Sequence, residues 1–312
     1  MDLAEFPTVS IVVPCYNVGY VVERCINALL EQDYPKDRLS IIIIDDKSTD
    51  NTGKIIEQYQ ENTQVKIIKH FRNRGLSAAR NSGIKASKSI IIGLLDSDMV
   101  VKKNWAKQMV SELSKDRVVA CMGGIKLGES LIPNNLDKFL YNPTRGVLKH
   151  GENKAIRFKW FLFNNTTVKR TAINEVGLFD ESITSYGGED TDFAIRLWDQ
   201  HPFGLRFSSN AVGEHYHQRP LSELQEKMEN YGKTNYLRLL ERYPHHTEDL
   251  AGDWINSLKG RLVFNPTVNC LVKFVYFMIP VPYLVRYFIA YCLMVGARNP
   301  ERGIPKFLSK QL

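Results

Sequence analysis

The chain of 312 residues has only five cysteines, and no two of them form a CxxC pair. An odd number of isolated cysteines argues against a disulfide framework and against a zinc site built from cysteine. We therefore expect a protein of a reducing compartment. The first seven residues carry two acids and lead directly into a strand pattern, so we expect no secretory signal.

The glycine-rich phosphate loops of two common nucleotide-binding folds are also missing. No GxGxxG sequence follows the first predicted strand, which excludes a Rossmann dehydrogenase. The same position holds Pro14-Cys-Tyr-Asn-Val-Gly19, without a basic residue. A nucleotidyltransferase with a basic phosphate loop is therefore not favoured.

The body of the chain lacks an excess of either charge. The net charge is +7, yet residues 1–253 contain 33 basic and 33 acidic residues. Residues 254–312 contain eight basic residues and one acid, so the whole imbalance lies there. This distribution argues against a basic groove over the main body, and we expect no nucleic-acid partner.

The first hundred residues alternate between strand and helix patterns. Apolar runs predict four strands, at Val9–Val13, Ile41–Ile44, Val65–Ile68 and Ile90–Leu95. The run of four isoleucines is apolar on both faces, which is typical of a central parallel strand. We expect an α/β fold with an open, mostly parallel sheet that binds ligands beyond the carboxyl ends of its strands.

Two later regions carry weaker patterns. Residues 123–155 are rich in glycine, asparagine and proline, and we interpret them as a long excursion with a candidate role as a lid. Alternating aromatic residues over 156–168 predict a strand. We place a catalytic domain in residues 1–225 and a helical region in residues 226–312.

Paired acidic residues follow two of the predicted strands. Asp96 and Asp98 come after the fourth strand, where two carboxylates can hold a hard divalent cation that bridges to diphosphate oxygens. Asp45 and Asp46 follow the second strand, where carboxylates can accept hydrogen bonds from a base or a ribose hydroxyl. Each segment also suits a plain turn, and the Ser-Thr-Asp that follows Lys47 suits a helix cap.

Four segments, taken in order, resemble the family-2 glycosyltransferases of the GT-A fold. They are Val9–Asn17 (VSIVVPCYN), Asp45–Thr52 (DDKSTDNT), Asn73–Gly83 (NRGLSAARNSG) and Asp96–Asp98 (DSD). The resemblance implies a Rossmann-like, mostly parallel sheet flanked by helices, and a nucleotide-sugar donor. It also implies a divalent metal (Mn²⁺ or Mg²⁺) on the DxD motif and transfer with inversion. Lys47 departs from the family, which commonly has glycine there, so the local turn could differ.

The resemblance places the donor at the strand ends. Asp96 would contact the ribose and the metal, and Asp98 would bind the metal. Arg80 would lie near the diphosphate, with a structural ion pair as the alternative. The implied nucleotide-sugar-binding residues are Pro14, Tyr16, Asn17, Asp45, Asp46, Asn73, Arg80, Asp96 and Ser97.

The segment Gly187-Gly188-Glu189-Asp190 resembles the GGED segment of galactosyltransferases and of chondroitin- and hyaluronan-type polymerases. Two glycines let a sugar or a backbone approach closely, and acids at the start of a helix lie where N–H groups favour anions. The resemblance implies that Asp190 is the general base that takes the proton of the acceptor hydroxyl. Glu189 would be the second catalytic acid and would bind the acceptor.

Aromatic side chains near this segment are candidates for an acceptor platform. Tyr186, which precedes the glycines, and Trp160 are predicted to contact the acceptor together with Gly187 and Gly188. Phe161 and Phe163 are further aromatic candidates. Core packing is the alternative, and it is favoured for at least two of these four aromatic residues. Asp192 is predicted to be a helix cap or a salt-bridge partner.

Two histidines lie in the segment Glu214-His-Tyr-His-Gln-Arg-Pro220. A neutral imidazole can complete the metal shell that the DxD motif begins. The resemblance implies a histidine ligand in a His-Gln-x-Pro context, which His217 fits, with His215 as the second candidate. Because alternate residues of a strand point to opposite sides, we expect only one of them to bind the metal.

Residues 262–312 form a basic, aromatic segment. Its uncharged runs, Phe274–Val285 and Tyr287–Ala297, fall short of the roughly 20 residues that a spanning helix needs. We predict two short helices, joined at Pro280 and Pro282, that associate with an anionic membrane surface. A helical pair that caps the catalytic domain is the alternative.

The sequence therefore predicts a metal-dependent inverting glycosyltransferase, of the hexosyl- or N-acetylhexosaminyltransferase class, peripheral on the cytoplasmic face of a membrane. The predicted donor is a UDP-sugar, and the predicted acceptor is a glycan or lipid-linked molecule of cell-surface polysaccharide or glycolipid synthesis. The alternative is a catalytically silent sugar-nucleotide-binding subunit of a membrane-associated assembly. Loss of an acid would favour it, but Asp96, Asp98, Glu189 and Asp190 are all present.

Overall fold

The structure is a computed structural model, and it describes residues 6–147, 155–301 and 303–304. The predicted lid of residues 123–155 falls in part on 148–154, which lie outside the described residues. The chain divides into two compact units. The first contains the described residues of Met1–Leu131, Pro143–Thr184 and Glu189–His217; the second contains those of Ile132–Asn142, Ser185–Gly188 and Gln218–Leu312.

Eight strands of the first unit form one sheet. Their bounds are β1 (Val9–Cys15), β2 (Leu39–Asp45), β3 (Val65–Lys69), β4 (Ile91–Leu95), β5 (Met99–Val101), β6 (Ala120–Leu127), β7 (Asn165–Lys169) and β8 (Leu205–His215). The strand order is β3-β2-β1-β4-β7-β6-β8-β5. Strands β1 to β4 pair in parallel, as the apolar runs predict, whereas β7 runs antiparallel to β4 and β6.

The described residues also form twelve α-helices. They are α1 (Val22–Leu30), α2 (Thr52–Glu57), α3 (Leu76–Ala86), α4 (Trp105–Leu113), α5 (Asn135–Leu140), α6 (Arg170–Val176), α7 (Glu189–Gln200), α8 (Leu221–Lys233), α9 (Asn235–Arg242), α10 (Leu258–Val263), α11 (Pro266–Met278) and α12 (Tyr283–Arg298). Helix α5 and helices α8 to α12 belong to the second unit. Helices therefore flank a mixed sheet in the first unit, and the second unit is helical.

Strand β1 continues through Pro14 to Cys15, two residues beyond its predicted end. A proline cannot donate to a sheet ladder, so it is normally confined to edges and strand ends. Here β4 pairs only with Val9–Val12. No β4 partner therefore lies opposite Pro14, and its missing N–H is tolerated.

The strand predicted over residues 156–168 is wrong in its first two thirds. A 3-10 helix covers Phe158–Trp160, and β7 begins only at Asn165. Phe158 and Phe161 are buried, while Trp160 between them is exposed. The three-residue spacing of the buried rings matches the period of a 3-10 turn. Over so few residues, this period is difficult to distinguish from the alternation of a strand.

Helices α8 and α12 of the second unit cross at two glycines. A Cβ on Gly232 would lie 2.3 Å from the Leu293 carbonyl oxygen, and one on Gly296 would lie 2.1 Å from the Glu229 carbonyl oxygen. The backbones can approach this closely only because neither residue has a side chain. Helices α11 and α12 flank the two prolines, as predicted. None of the described helices combines the length and the apolar character needed to cross a bilayer.

Candidate active site

The DxD motif occupies a tight turn at the carboxyl end of β4. The Met99 amide donates to the Asp96 carbonyl at 3.1 Å, which closes the turn. The Asp96 amide donates to the Asn164 carbonyl at 3.0 Å, and the Asp98 carbonyl accepts from the Tyr216 amide at 2.9 Å. These backbone bonds on both sides fix where the two carboxylates point.

His215 lies beside Asp98 because β5 pairs with β8 so that Met99 faces His215. The Nε2 atom of His215 lies 3.2 Å from Oδ2 of Asp98, whereas Oδ1 of Asp98 is buried without a hydrogen-bond partner. Burial by itself would raise the pKa of Asp98, but the hydrogen bond and the charge of His215 hold that pKa below its usual value. An ionised carboxylate with one unengaged oxygen, next to an imidazole, fits a divalent cation.

His217 lies beyond the end of β8, so the alternation expected of a strand does not extend to it. Its ring centroid is 6.1 Å from that of His215. Its Nδ1 atom lies 3.2 Å from the Tyr20 hydroxyl. Both histidines therefore lie in one region, and the charge of each lowers the pKa of Asp98, with the larger contribution from the hydrogen-bonded His215.

Arg80, on α3, connects the DxD motif to the second acidic pair. The side chain is 2% exposed. Its Nη1 donates to Oδ1 of Asp190 at 2.7 Å, and its Nη2 donates to Oδ1 of Asp96 at 3.2 Å. Burial raises the pKa of Asp96 to about 6, with Arg80 opposing this effect and Asp98 adding to it. The geometry is that of the structural ion pair, the alternative that the sequence left open for Arg80.

Asp190 and Glu189 open helix α7, as the segment predicts. Oδ2 of Asp190 accepts from the Phe163 amide at 3.1 Å, so both oxygens of this carboxylate are held. Burial raises the pKa of Glu189 to about 7, and the charge of Asp190 contributes. Asp192 forms a salt bridge to Arg196 at 2.8 Å, which confirms its predicted structural role.

Asp46 holds the loop before α3 together. Its Oδ1 accepts from the Arg74 amide at 2.9 Å and its Oδ2 from the Gly75 amide at 2.8 Å. His70, which the sequence reasoning missed, contacts Oδ1 at 2.6 Å through Nδ1. Lys47 has a φ of 66°, a left-handed conformation that costs a lysine more than it would a glycine. The donor-binding role predicted for Asp46 stays a prediction.

The other predicted donor residues differ in accessibility. Tyr16 is 49% exposed and Asn73 is exposed, whereas Ser97 is buried. Asn17 Oδ1 accepts from the Thr49 amide at 2.7 Å, so this side chain braces the loop after β2. Pro14 and Asp45 are buried at strand ends, whereas Asp96 is half-buried, with 32% of its side chain exposed.

The two glycines before Glu189 belong to the second unit with Tyr186. Their φ angles are 83° for Gly187 and 103° for Gly188, which explains why glycine is needed. Asn235 donates through Nδ2 to the Gly187 carbonyl at 2.9 Å and to Ser185 Oγ at 2.8 Å. No local pattern marks Asn235, because the contact spans about 50 residues of sequence.

The aromatic candidates for acceptor contact are accessible. Tyr186 is 44% exposed, and Trp160, in the first unit, is 37% exposed. The Nζ of Lys227 lies 5.4 Å from the Tyr186 ring centroid. By contrast, Phe161 and Phe163 are fully buried, so the core-packing alternative holds for them. Their burial supports α7, since the Phe163 ring packs 5.0 Å from that of Phe193.

Residues 10–168 match the family model "Glycosyl transferase family 2". The chain belongs to glycosyl transferase family 2. The glycosyltransferase AglE of Haloferax volcanii is 29% identical over 74% of this chain and 73% of AglE. The chondroitin synthase of Pasteurella multocida is 24% identical over 84% of this chain, which spans only 30% of that enzyme.

A solved structure also resembles this chain. It is the mannosyltransferase PcManGT from Pyrobaculum calidifontis in complex with GDP-Man and Mn²⁺, which aligns with a TM-score of 0.62 at 16% identity. The alignment covers 94% of this chain and 87% of PcManGT. The predicted GT-A fold is therefore confirmed. The family and its named members also confirm the enzyme class, a hexosyl- or N-acetylhexosaminyltransferase.

Proposed function

We propose that this family-2 glycosyltransferase moves a sugar from a nucleotide sugar, with a UDP-sugar as the first candidate, to a glycan or lipid-linked acceptor in the cytoplasm. The observation that carries the proposal is that acidic residues from two parts of the chain meet at the carboxyl end of β4. There Arg80 joins the DxD residue Asp96 to the helix-opening residue Asp190. One guanidinium therefore contacts both a carboxylate of the proposed metal site, that of Asp96, and the carboxylate proposed as the general base, that of Asp190.

The divalent ion, Mn²⁺ or Mg²⁺, would be held by Asp98, Asp96 and a histidine. His215 is the better-placed histidine, and His217 is the second. The partnerless oxygen of Asp98 supports this assignment, since buried polar atoms in proteins are rarely unpaired. When bound, such an ion neutralises the charge that develops on the departing diphosphate.

Asp190 is proposed as the general base. The acceptor oxygen attacks the anomeric carbon, the bond from that carbon to the diphosphate oxygen breaks, and the hydroxyl proton passes to the Asp190 carboxylate. The bonds from Arg80 and the Phe163 amide orient this carboxylate. Glu189 is assigned to the acceptor, as the resemblance implies, together with Tyr186, Gly187, Gly188 and Trp160, which were predicted from their residue types and positions.

The test is a transfer and donor-hydrolysis assay with a panel of nucleotide sugars that includes UDP- and GDP-sugars. We expect EDTA to abolish activity and Asp190→Asn to reduce it by about 10²- to 10⁴-fold, the usual contribution of a general base. Asp116→Asn, at a fully exposed surface position, is the matched control. Full activity in EDTA and in Asp190→Asn would contradict the mechanism.

A catalytically silent subunit is the second candidate. It would bind a nucleotide sugar, which calorimetry would detect, without hydrolysing or transferring it under any metal condition. The presence of Asp96, Asp98, Glu189 and Asp190 favours the enzyme.

A further inference from the structure

Exposed apolar side chains are concentrated in one part of the second unit. Of the 22 exposed large hydrophobic residues among the described residues, 11 lie between Leu258 and Tyr283. Singly scattered apolar residues are normal on a protein surface, whereas a contiguous group marks a docking site. This group of exposed apolar residues therefore indicates a surface that binds a partner.

The apolar residues of α11 form a stripe along one side of the helix. Leu271, Phe274, Val275 and Met278 have i, i+3, i+4, i+7 spacing, which places them on one face. Their exposed fractions are 61%, 63%, 40% and 63%. We call these four residues the outer face of α11. Elsewhere on the helix Tyr276 packs inward, 5.4 Å from the Phe288 ring of α12.

The segment after α11 continues the apolar surface. Phe277 is 83% exposed, Ile279 61% and Tyr283 70%. Pro280 and Pro282 separate the two helices. The outer face of α11 therefore ends in an exposed apolar tip, Phe277–Tyr283.

Basic side chains flank this surface. Lys259, Arg261, Lys273 and Arg286 are all exposed. No acidic residue occurs from 254 to 300. The surface thus combines apolar and aromatic groups with basic side chains, and its own segment supplies no acid. This is the chemistry that suits the boundary between acyl chains and anionic headgroups.

We propose that the outer face of α11 and the tip Phe277–Tyr283 insert into the interfacial layer of an anionic lipid leaflet. Lys259, Arg261, Lys273 and Arg286 would contact the headgroups. The inserted helix lies in the plane of the leaflet, because its 13 residues are fewer than the roughly 20 that span a bilayer. The proposal does not depend on the glycosyltransferase activity, since membrane binding needs no donor.

A second copy of the chain fits this surface less well. In a symmetric dimer the same patch meets itself, so the four basic residues of one copy would face those of the other. No acid lies within residues 254–300 to pair with them. Like charges brought together across an interface oppose association, whereas an anionic leaflet removes this repulsion.

The experiment is flotation of the full chain with vesicles of phosphatidylcholine, with or without phosphatidylglycerol. The test variant is Phe274→Ser/Phe277→Ser, at side chains 63% and 83% exposed. The matched control is Phe71→Ser/Phe203→Ser, at side chains 81% and 64% exposed in the first unit. Because all four rings are exposed, neither variant should disturb folding, and melting curves check this.

We expect the wild type and the control to float with the anionic vesicles. The test variant should partition at least about tenfold less, since two phenylalanines lose their burial in lipid. Binding should weaken on neutral vesicles, because the four basic residues then lose the attraction of the anionic headgroups. Equal flotation of the two variants would overturn the proposal. So would a vesicle-free dimer of the wild type that the test variant abolishes, since the occupant would then be a second copy.

Discussion

Arg80 binds Asp190 and Asp96 with the two ends of one guanidinium, at 2.7 Å and 3.2 Å. Asp96 belongs to the DxD turn and Asp190 to the start of α7, 94 residues further along the chain. The arginine therefore sets the separation between the proposed metal-side carboxylate and the proposed base. Because the Arg80 side chain is only 2% exposed, little of it remains accessible to a bound donor.

Arg80→Met should destabilise the protein and reduce activity together. It leaves two acids without their cation, and breaking a buried pair in this way typically costs 3–5 kcal/mol. Since the Asp96 side chain is 32% exposed, we expect about 3 kcal/mol, the low end of that range. Chemical denaturation measures it. The control is Arg238→Met at an exposed position of α9, and equal stabilities of the two variants would contradict the bridging role.

Measurements of Mn²⁺ affinity should distinguish the roles of His215 and His217. His215→Ala removes a group 3.2 Å from the Asp98 carboxylate, so we expect Mn²⁺ affinity to fall at least about tenfold, as for other residues that support a metal site. His217→Ala should have a smaller effect, and Asp98→Asn should abolish binding. Calorimetry or a thermal shift with Mn²⁺ measures this. A larger loss of Mn²⁺ affinity in His217→Ala than in His215→Ala would identify His217 as the ligand instead, as its sequence context predicts.

Glu189 should make stability depend on pH in the metal-free protein. Its pKa is raised from 4.5 to about 7, chiefly by burial. The folded state therefore holds a proton that the unfolded state releases, and stability falls as the pH rises from 4.5 to about 7. Glu189→Gln should remove this loss and be more stable relative to wild type at pH 8 than at pH 5. The exposed Glu241→Gln is the control; parallel pH profiles for wild type and Glu189→Gln would refute the shift.

Asn235→Ala should loosen the segment before Glu189. The amide donates to the Gly187 carbonyl and to both the carbonyl and the hydroxyl of Ser185. Each lost hydrogen bond leaves an acceptor unsatisfied, which typically costs about 1–3 kcal/mol of stability. Water that reaches these acceptors offsets part of this cost. We expect lower stability and, because Tyr186 is a proposed acceptor contact, a higher acceptor KM with the donor KM unchanged. Asn104→Ala, at an exposed residue of the first unit, is the control and should change neither constant. A change in the donor KM of Asn235→Ala would contradict the proposed role of this segment in acceptor binding.

Much of the first unit could be predicted because its signals are local. The isoleucine run Ile41–Ile44 lies in β2, and β3 begins at Val65 as predicted. Short motifs at strand ends were equally visible, since Asp96 and Asp98 occupy the turn after β4. The prediction over residues 156–168 was wrong because buried rings three residues apart suit either a 3-10 turn or an irregular strand until the core is known.

The sequence by itself determined the family, the parallel half of the sheet and the acids that carry the proposed chemistry, because each depends on residues close together in the chain. Only the tertiary structure decided what those acids contact. The contacts Arg80–Asp190, His215–Asp98 and Asn235–Ser185 join residues that are 110, 117 and 50 positions apart. Such contacts are set by strand register and helix packing, which no local pattern encodes. The structure also decided that the apolar residues of α11 face outward, because α12 covers only one side of that helix.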